Sequence, residues 1–330
     1  MLRKIAFAVS VALVPLVGSA SAYAQEKVLR AVTFLPLGAG TQGVQIAEFE
    51  KRLNEAGKGV IQIDLIGGPE AIPPGELANA IQTGVIDVMF VSVGLYHSLL
   101  PITDYYTVTT LTPTQRRENG VADYLNELHG KALNTHILAD YLYPVQNVYY
   151  LGKNIGADRI ERIRNGDFAG LRMRGNASYR PVFDELGIET FPISAGDIYT
   201  AMERGTIDGF AWVTIDMLVQ GWGDVVKWRM DPQYNHGQTN LQINLDVWNG
   251  LNDEQREILG RVAEEWERWS FDDANQRNEA EAKAQAEAGI ERFSLTAEAE
   301  AKFLPITQEK HWENLKAVLP EAYERLRAAE

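Results

Sequence analysis

The sequence predicts an α/β fold of two similar lobes with a cleft between them and a long helix crossing both, on three observations. First, a segment recurs. Residues 76–87 read Glu-Leu-Ala-Asn-Ala-Ile-Gln-Thr-Gly-Val-Ile-Asp, and residues 197–208 read Asp-Ile-Tyr-Thr-Ala-Met-Glu-Arg-Gly-Thr-Ile-Asp, with Ala80/Ala201, Gly84/Gly205 and Ile86-Asp87/Ile207-Asp208 in register. Each copy has the pattern of an amphipathic helix stopped by a C′ glycine and running into an apolar strand. Chance recurrence of that common grammar is the alternative. Second, strand-like and helix-like runs alternate along the whole chain, as in an α/β sheet protein. Third, Asn252 followed by Asp253 and Glu254 caps a helical pattern that continues to Gly289. Its apolar seam (Ile258, Leu259, Val262, Trp266, Trp269) fades after Phe271, which disfavours a coiled coil and fits a helix laid across two lobes.

Taken in order, the basic Met1-Leu2-Arg3-Lys4, the apolar stretch 5–18 and the small residues of Ala22-Tyr23-Ala24 read as a secretory leader cleaved after Ala24. An uncleaved anchor is the alternative, but the run is shorter than the roughly 18 apolar residues of a membrane span. A secreted, periplasmic protein without direct membrane insertion is expected. Residues 28–34 and 60–66 read as strands flanking a helix at 44–53, and 85–93 is a near-continuous apolar strand suited to a buried parallel sheet. In the second half, 145–151, 171–174 and 190–193 read as strands, with a helix at 178–186 before the second repeat. The expected organisation is a leader at 1–24, a first lobe of 26–145 plus about 215–255, and a second of 146–214 plus about 256–330 that includes the long helix.

Composition excludes several functions. The formal net charge of −14 at pH 7 opposes nucleic-acid and anionic-lipid partners. The absence of cysteine removes disulfides, thiolate metal sites and cysteine nucleophiles. There is no Gly-x-Ser-x-Gly elbow, phosphate-binding loop or His-Glu-x-x-His pair, and the histidines at 97, 129, 136, 236 and 311 are scattered singly. Gly38-Ala39-Gly40-Thr41-Gln42-Gly43 matches the dinucleotide fingerprint, with Asp64 downstream. Pro36 interrupts the approach from the strand, however, and Asp64 lies inside an apolar strand, so a flexible loop at a strand's C-terminal end is the expected role. No catalytic residue, cofactor or metal site is expected.

The residues left over point to a small anionic ligand. Arg174 ends the alternation Leu171-Arg172-Met173-Arg174 and precedes Gly175, where a guanidinium beside bare backbone can grip a carboxylate through two parallel hydrogen bonds. A surface ion pair is the alternative, and it is the reading kept for Arg172. Trp212 ends the second repeat strand, and with Phe210, Tyr149, Tyr150 and Tyr179 it can wall a ligand slot or simply fill a core. Gln146 and Asn147 offer amide groups at the lobe boundary, where each could equally satisfy loop backbone.

In this order and at these intervals, Gly67-Gly68-Pro69, Gly84-Val-Ile-Asp87, Gly170-Leu-Arg-Met-Arg174, Gly205-Thr-Ile-Asp208, Asn244, Trp248-Asn249-Gly-Leu251 and the Ala/Glu-rich helix resemble the solute-binding proteins of tripartite ATP-independent periplasmic (TRAP) transporters. The resemblance runs over nearly all of the chain after the leader. It implies a two-lobed binder, not an enzyme, that closes on an organic anion and delivers it to TRAP membrane subunits. It further implies that Arg174 binds the ligand carboxylate; Gln146 and Asn147 are then expected to orient it, and Trp212 with Phe210 to cover it. Gln146 and Trp212-Val213 are similar to the branch that binds 2-oxo and 2-hydroxy acids, but Ala211 stands where that branch carries a metal-holding glutamate. Trp212 likewise replaces the asparagine of the sialic-acid and dicarboxylate branches, leaving a monocarboxylate with an apolar or flat body as the expected ligand. A periplasmic enzyme acting on an organic acid, a sensor subunit presenting ligand to a receptor, and a binder serving an ATP-driven importer are the rival readings.

Overall fold

The computed structural model describes residues 26–38, 40–143, 145–237 and 239–330; the expected leader and its cleavage site lie outside them. The elements of the first half are β1 (Lys27–Thr33), α1 (Gly40–Ala56), β2 (Ile61–Gly67), α2 (Leu77–Gln82), β3 (Val88–Ser92), α3 (Thr103–Val108), α4 (Pro113–Glu118), α5 (Val121–Leu133) and β4 (Thr135–Tyr141). There follow β5 (Gln146–Gly152), α6 (Ala157–Arg164), β6 (Arg172–Arg174), α7 (Arg180–Glu185), β7 (Glu189–Phe191), α8 (Ile198–Glu203), β8 (Gly209–Val213), β9 (Val226–His236) and β10 (Thr239–Asn244). The chain ends with α9 (Leu245–Gly250), α10 (Asp253–Glu287), β11 (Glu291–Ser294), α11 (Ala297–Val318) and α12 (Pro320–Arg327). Among the described residues no helix is long and apolar enough to cross a membrane.

Two sheets form, ordered β2-β1-β3-β10-β4 and β11-β9-β5-β8-β6-β7. Within each lies the same four-strand unit. The strands β2, β1 and β3 are parallel with β10 antiparallel beside β3; β7, β6 and β8 are parallel with β5 antiparallel beside β8. The sequence repeat is the structural basis of this likeness. It spans α2 into β3 and α8 into β8, and Gly84 and Gly205 take left-handed φ values of 75° and 66° at the helix ends. Two lobes with related cores are the result.

The lobe assignments differ from expectation in three places, while the expected crossing of both lobes by the long helix holds. First, β9 pairs with β5 and β11, so 226–236 belongs to the second sheet, and of 215–255 only β10 joins the first sheet. Second, α10 begins on the first lobe, where Trp266 Nε1 donates to Gln45 O at 2.7 Å and its ring meets Phe49 at 5.0 Å. Its far end reaches the second lobe through Gln285, whose Nε2 donates to Tyr150 Oη at 3.0 Å. The Asn252 cap is as expected: Asn252 Oδ1 accepts from Gln255 N at 2.9 Å and Gln255 Oε1 accepts from Asn252 N at 3.1 Å. Third, α11 also crosses, because Phe303 lies in the second lobe's core while Trp312 and Leu315 lie in the first lobe's, together with Ala322 and Leu326 of α12.

The lobes are joined where β4 passes into β5 and where β9 passes into β10. Gly237 N donates to Val145 O at 2.8 Å, tying the two crossings together. A Cβ on Gly237 would fall 2.1 Å from Val213 Cγ1, so this crossing requires glycine. Aligned crossings of this kind suit a hinge.

Candidate functional site: a cleft with one buried cation

A cavity of about 470 Å³ opens between the lobes. Its walls come from the C-terminal ends of the parallel strands, where open α/β sheets place their ligands. The first lobe supplies Phe34 and Leu35 after β1, Gln42 from α1, Ser92 at the end of β3 and Gly94 just beyond it. The second supplies Asn147, Arg174, Tyr179, Trp212 and the 192–195 segment. The glycine-rich segment 38–43 is therefore not a loop throughout: α1 already starts at Gly40, and its first turn puts Gln42 against the cavity. Asp216 of the second lobe caps that helix, accepting from Thr41 N at 2.8 Å and from Thr41 Oγ1 at 2.7 Å.

Arg174 closes β6, a strand of 3 residues, and points where the strand ends. Its Nε donates to Ile193 O at 2.9 Å and its guanidinium carbon lies 5.6 Å from the Trp212 ring centroid, a cation–π arrangement. The residue is only 9% exposed, yet among the described residues no carboxylate pairs with it. Burial lowers its pKa and the nearby Tyr179 opposes that change, but a guanidinium remains cationic at physiological pH. No aspartate, glutamate or lysine lines the cavity among the described residues. The site is one cation in a mainly apolar chamber.

Trp212 is held by an edge-on contact with Trp222 at 5.0 Å, and its Nε1 has no hydrogen-bond partner among the described residues. Asn147 donates from Nδ2 to Asn235 O at 3.3 Å and accepts from Tyr179 Oη at 3.4 Å, so its amide is already oriented.

The other expected residues lie elsewhere. Phe210 shares a strand face with Trp212 but sits two residues deeper, buried against Tyr150 at 5.4 Å and Trp222 at 4.9 Å, and it does not line the cavity. Gln146 is likewise absent from the lining, whereas Asn147, next to it across a register shift in β5, is part of it. Tyr149 and Tyr150 are fully buried core residues, whereas Tyr179 does line the cavity. Ala211 packs in a core cluster with Tyr149 and Phe183, and among the described residues no three His, Asp or Glu side chains are grouped to hold a metal ion. The sequence reading singled out the glycine-rich segment 38–43 but not Gln42 within it as a site residue. It missed Ser92, Asn235 and His311, which line the cavity from the ends of β3 and β9 and from α11 and carry no local motif.

Comparison with known proteins accords with this architecture. A monocarboxylate 2-oxoacid-binding periplasmic protein of Nostoc sp. is 25% identical over 213 residues, a match that covers 63% of this chain and 58% of that protein. A Bordetella pertussis extracytoplasmic solute receptor crystallised with pyroglutamic acid superposes with a TM-score of 0.78 at 17% identity, covering 92% of this chain and 99% of the other. A TRAP transporter solute-binding protein of Bordetella bronchiseptica, with calcium and picolinate in its active site, gives a TM-score of 0.78 at 21% identity over 92% of both chains. The model of bacterial extracellular solute-binding protein family 7 matches residues 39–316, and the chain belongs to that family.

Proposed function

We propose that this protein is a periplasmic receptor that captures a small organic monocarboxylate between its lobes and delivers it to the membrane subunits of a TRAP transporter, without chemical turnover. Arg174 anchors the carboxylate, the Asn147 amide orients it, and Trp212 covers its apolar body. The observation that carries this reading is the Arg174 guanidinium, buried beside an apolar cavity with no acidic partner among the described residues. A buried cation is costly unless a counter-charge arrives, and an incoming carboxylate supplies it. Among the described residues the lining offers no carboxylate to pair with an ammonium group, which favours acids over amino acids. The relatives crystallised with pyroglutamic acid and picolinate, and the 2-oxoacid binder, agree with a monocarboxylate. Expected cleavage of the leader after Ala24 supports a periplasmic location.

A thermal-shift screen of the mature protein tests the reading, with each small acid paired to its amide. A ligand that binds only the folded state raises the melting temperature with its concentration and affinity. One or more acids should shift the melt while their amides do not, and R174A should cost about 2–4 kcal/mol of affinity. A screen in which only neutral or cationic compounds shift the melt defeats the assignment.

A further inference from the structure

The cavity has a second polar pole. His311 lies on α11 where that helix passes between the lobes, and it lines the cavity while being only 1% exposed. Its Nδ1 lies 2.8 Å from Asp104 Oδ1, a carboxylate on α3 that is itself wholly buried. The other Asp104 oxygen accepts from Asn314 Nδ2. His97 stands 3.9 Å from the same carboxylate, with its own Nδ1 against the Thr103 hydroxyl. A carboxylate can only accept, so the His311 nitrogen facing it carries the proton and Nε2 becomes the ring's remaining polar atom. No hydrogen bond engages Nε2 among the described residues. The helix carrying it is pinned beside the cavity, because Asn235 Nδ2 donates to Thr307 O at 2.7 Å one turn earlier.

We propose that His311, positioned by Asp104, is a ligand-binding residue that reads a hydroxyl on the part of the ligand remote from its carboxylate, making this a receptor for a hydroxylated monocarboxylate. The inference rests on the Arg174 reading. Arg174 projects from a strand end of the second sheet and His311 from a helix, so the two poles belong to different walls. A cavity of about 470 Å³ has room for a ligand body between them. A hydroxyl suits Nε2 in either protonation state: it donates to the neutral ring and accepts from the imidazolium. A site built to hydrogen-bond a hydroxyl also discriminates strongly against the analogue lacking it, because the buried partner is left unpaired.

Isothermal titration of wild type and H311F with matched acids, one carrying a remote hydroxyl and one with hydrogen in its place, tests this. Wild type should bind the hydroxy acid about 10-fold or more tightly than its deoxy partner. In H311F that preference should vanish while the affinity for the deoxy acid holds. Phenylalanine removes the imidazole from Asp104 Oδ1 and leaves Asn314 as its partner, so D104N/H311F is the parallel variant should H311F fail to fold, and it should behave the same way. An intact preference in the folded variant overturns the proposal, as does equal loss for both acids, which marks His311 as merely structural. A wild-type preference for the deoxy member overturns it too. Binding of the deoxy acid that depends on Arg174 in all of these cases separates failure at His311 from failure of the carboxylate anchor.

Discussion

Asp208 receives both the backbone N–H of Arg172, at 3.0 Å, and its guanidinium, at 2.6 Å. The repeated aspartate in the first lobe, Asp87, holds Arg30 in the same way, at 2.8 and 3.2 Å. In each lobe the acid entering one strand therefore clamps a neighbouring parallel strand. In the second lobe the clamped residue lies two positions before Arg174, so the Asp208 clamp sets where the cavity's cation emerges.

Substituting Asp208 with alanine should therefore affect both stability and binding. The strand N–H loses its acceptor, which costs about 1–3 kcal/mol, while the half-exposed guanidinium is screened by water and adds little. With β6 loosened, ligand affinity should also fall. D87A should lose comparable stability and leave affinity in place, because Arg30 is remote from the cavity. Urea unfolding and titration calorimetry on both variants measure the two effects separately.

Arg174 itself trades stability for binding. An unpaired buried cation opposes folding, so R174M should raise the stability of the ligand-free protein by about 1–3 kcal/mol while abolishing the ligand-induced thermal shift. Chemical denaturation without ligand gives the first quantity. A less stable R174M would mean that the bond to Ile193 O outweighs the desolvation of the charge.

Much of this was legible in the sequence, and the residues that were not show why. The repeat announced two lobes because its glycines and aspartates do the same backbone work twice. For Arg174 the local pattern alone left a surface ion pair open, and it was the resemblance that singled it out; the structure places it buried at the cavity without a carboxylate partner among the described residues. Phe210 was misjudged because period-two alternation gives the face of a strand but not the depth, and of β8 it is Trp212 and Val213, at its C-terminal end, that line the cleft. Of the adjacent amides Gln146 and Asn147 only Asn147 lines the cavity, and the register shift between them is not written in the local sequence. The sheet to which β9 belongs is set by pairing with β5 and β11, a long-range fact that its own alternation does not carry. His311 was hidden for the same reason: a lone histidine on a helix gains meaning only from Asp104, which comes from α3.

Acid should destabilise the fold through His129. It is fully buried among Tyr96 and Tyr106, its Nδ1 donates to Leu125 O at 2.8 Å, and burial lowers its pKa from 6.5 to about 4. The unfolded chain thus takes up the proton at a higher pH than the folded one. The stabilising effect is complete above the unfolded value, declines as pH falls below 6.5, and is lost by about pH 4. A lowering of this size corresponds to roughly 3 kcal/mol of stability. His136, stacked on Trp248 at 4.4 Å and also lowered to about 4 by burial, acts in the same direction. Unfolding free energies measured at pH 7 and pH 5 should differ less in H129Q than in wild type; an unchanged difference would assign the acid sensitivity to other groups.

The lobes come into close contact at Gly94 and Asn176. Gly94 lies in the turn after β3 of the first lobe, and a Cβ built on it would fall 2.5 Å from Asn176 Nδ2 of the second. Asn176 cannot readily yield, because its Oδ1 accepts from Ser178 N at 3.0 Å and Ser178 Oγ at 2.6 Å. A methyl group here acts as a spacer between the lobes rather than as a change inside either core. G94A should accordingly leave the stability of the ligand-free protein nearly unchanged and weaken ligand binding by about 1–3 kcal/mol, the usual cost of overpacking. Since a ligand stabilises the closed form only through its differential affinity for it, the loss should appear in every ligand that touches both lobes. The double variant G94A/N176A removes the opposing amide and should recover most of the affinity. Titration calorimetry gives the affinities, and small-angle scattering with saturating ligand gives the compaction. Tight binding and full compaction by G94A would show that the lobes close on ligand without needing this contact.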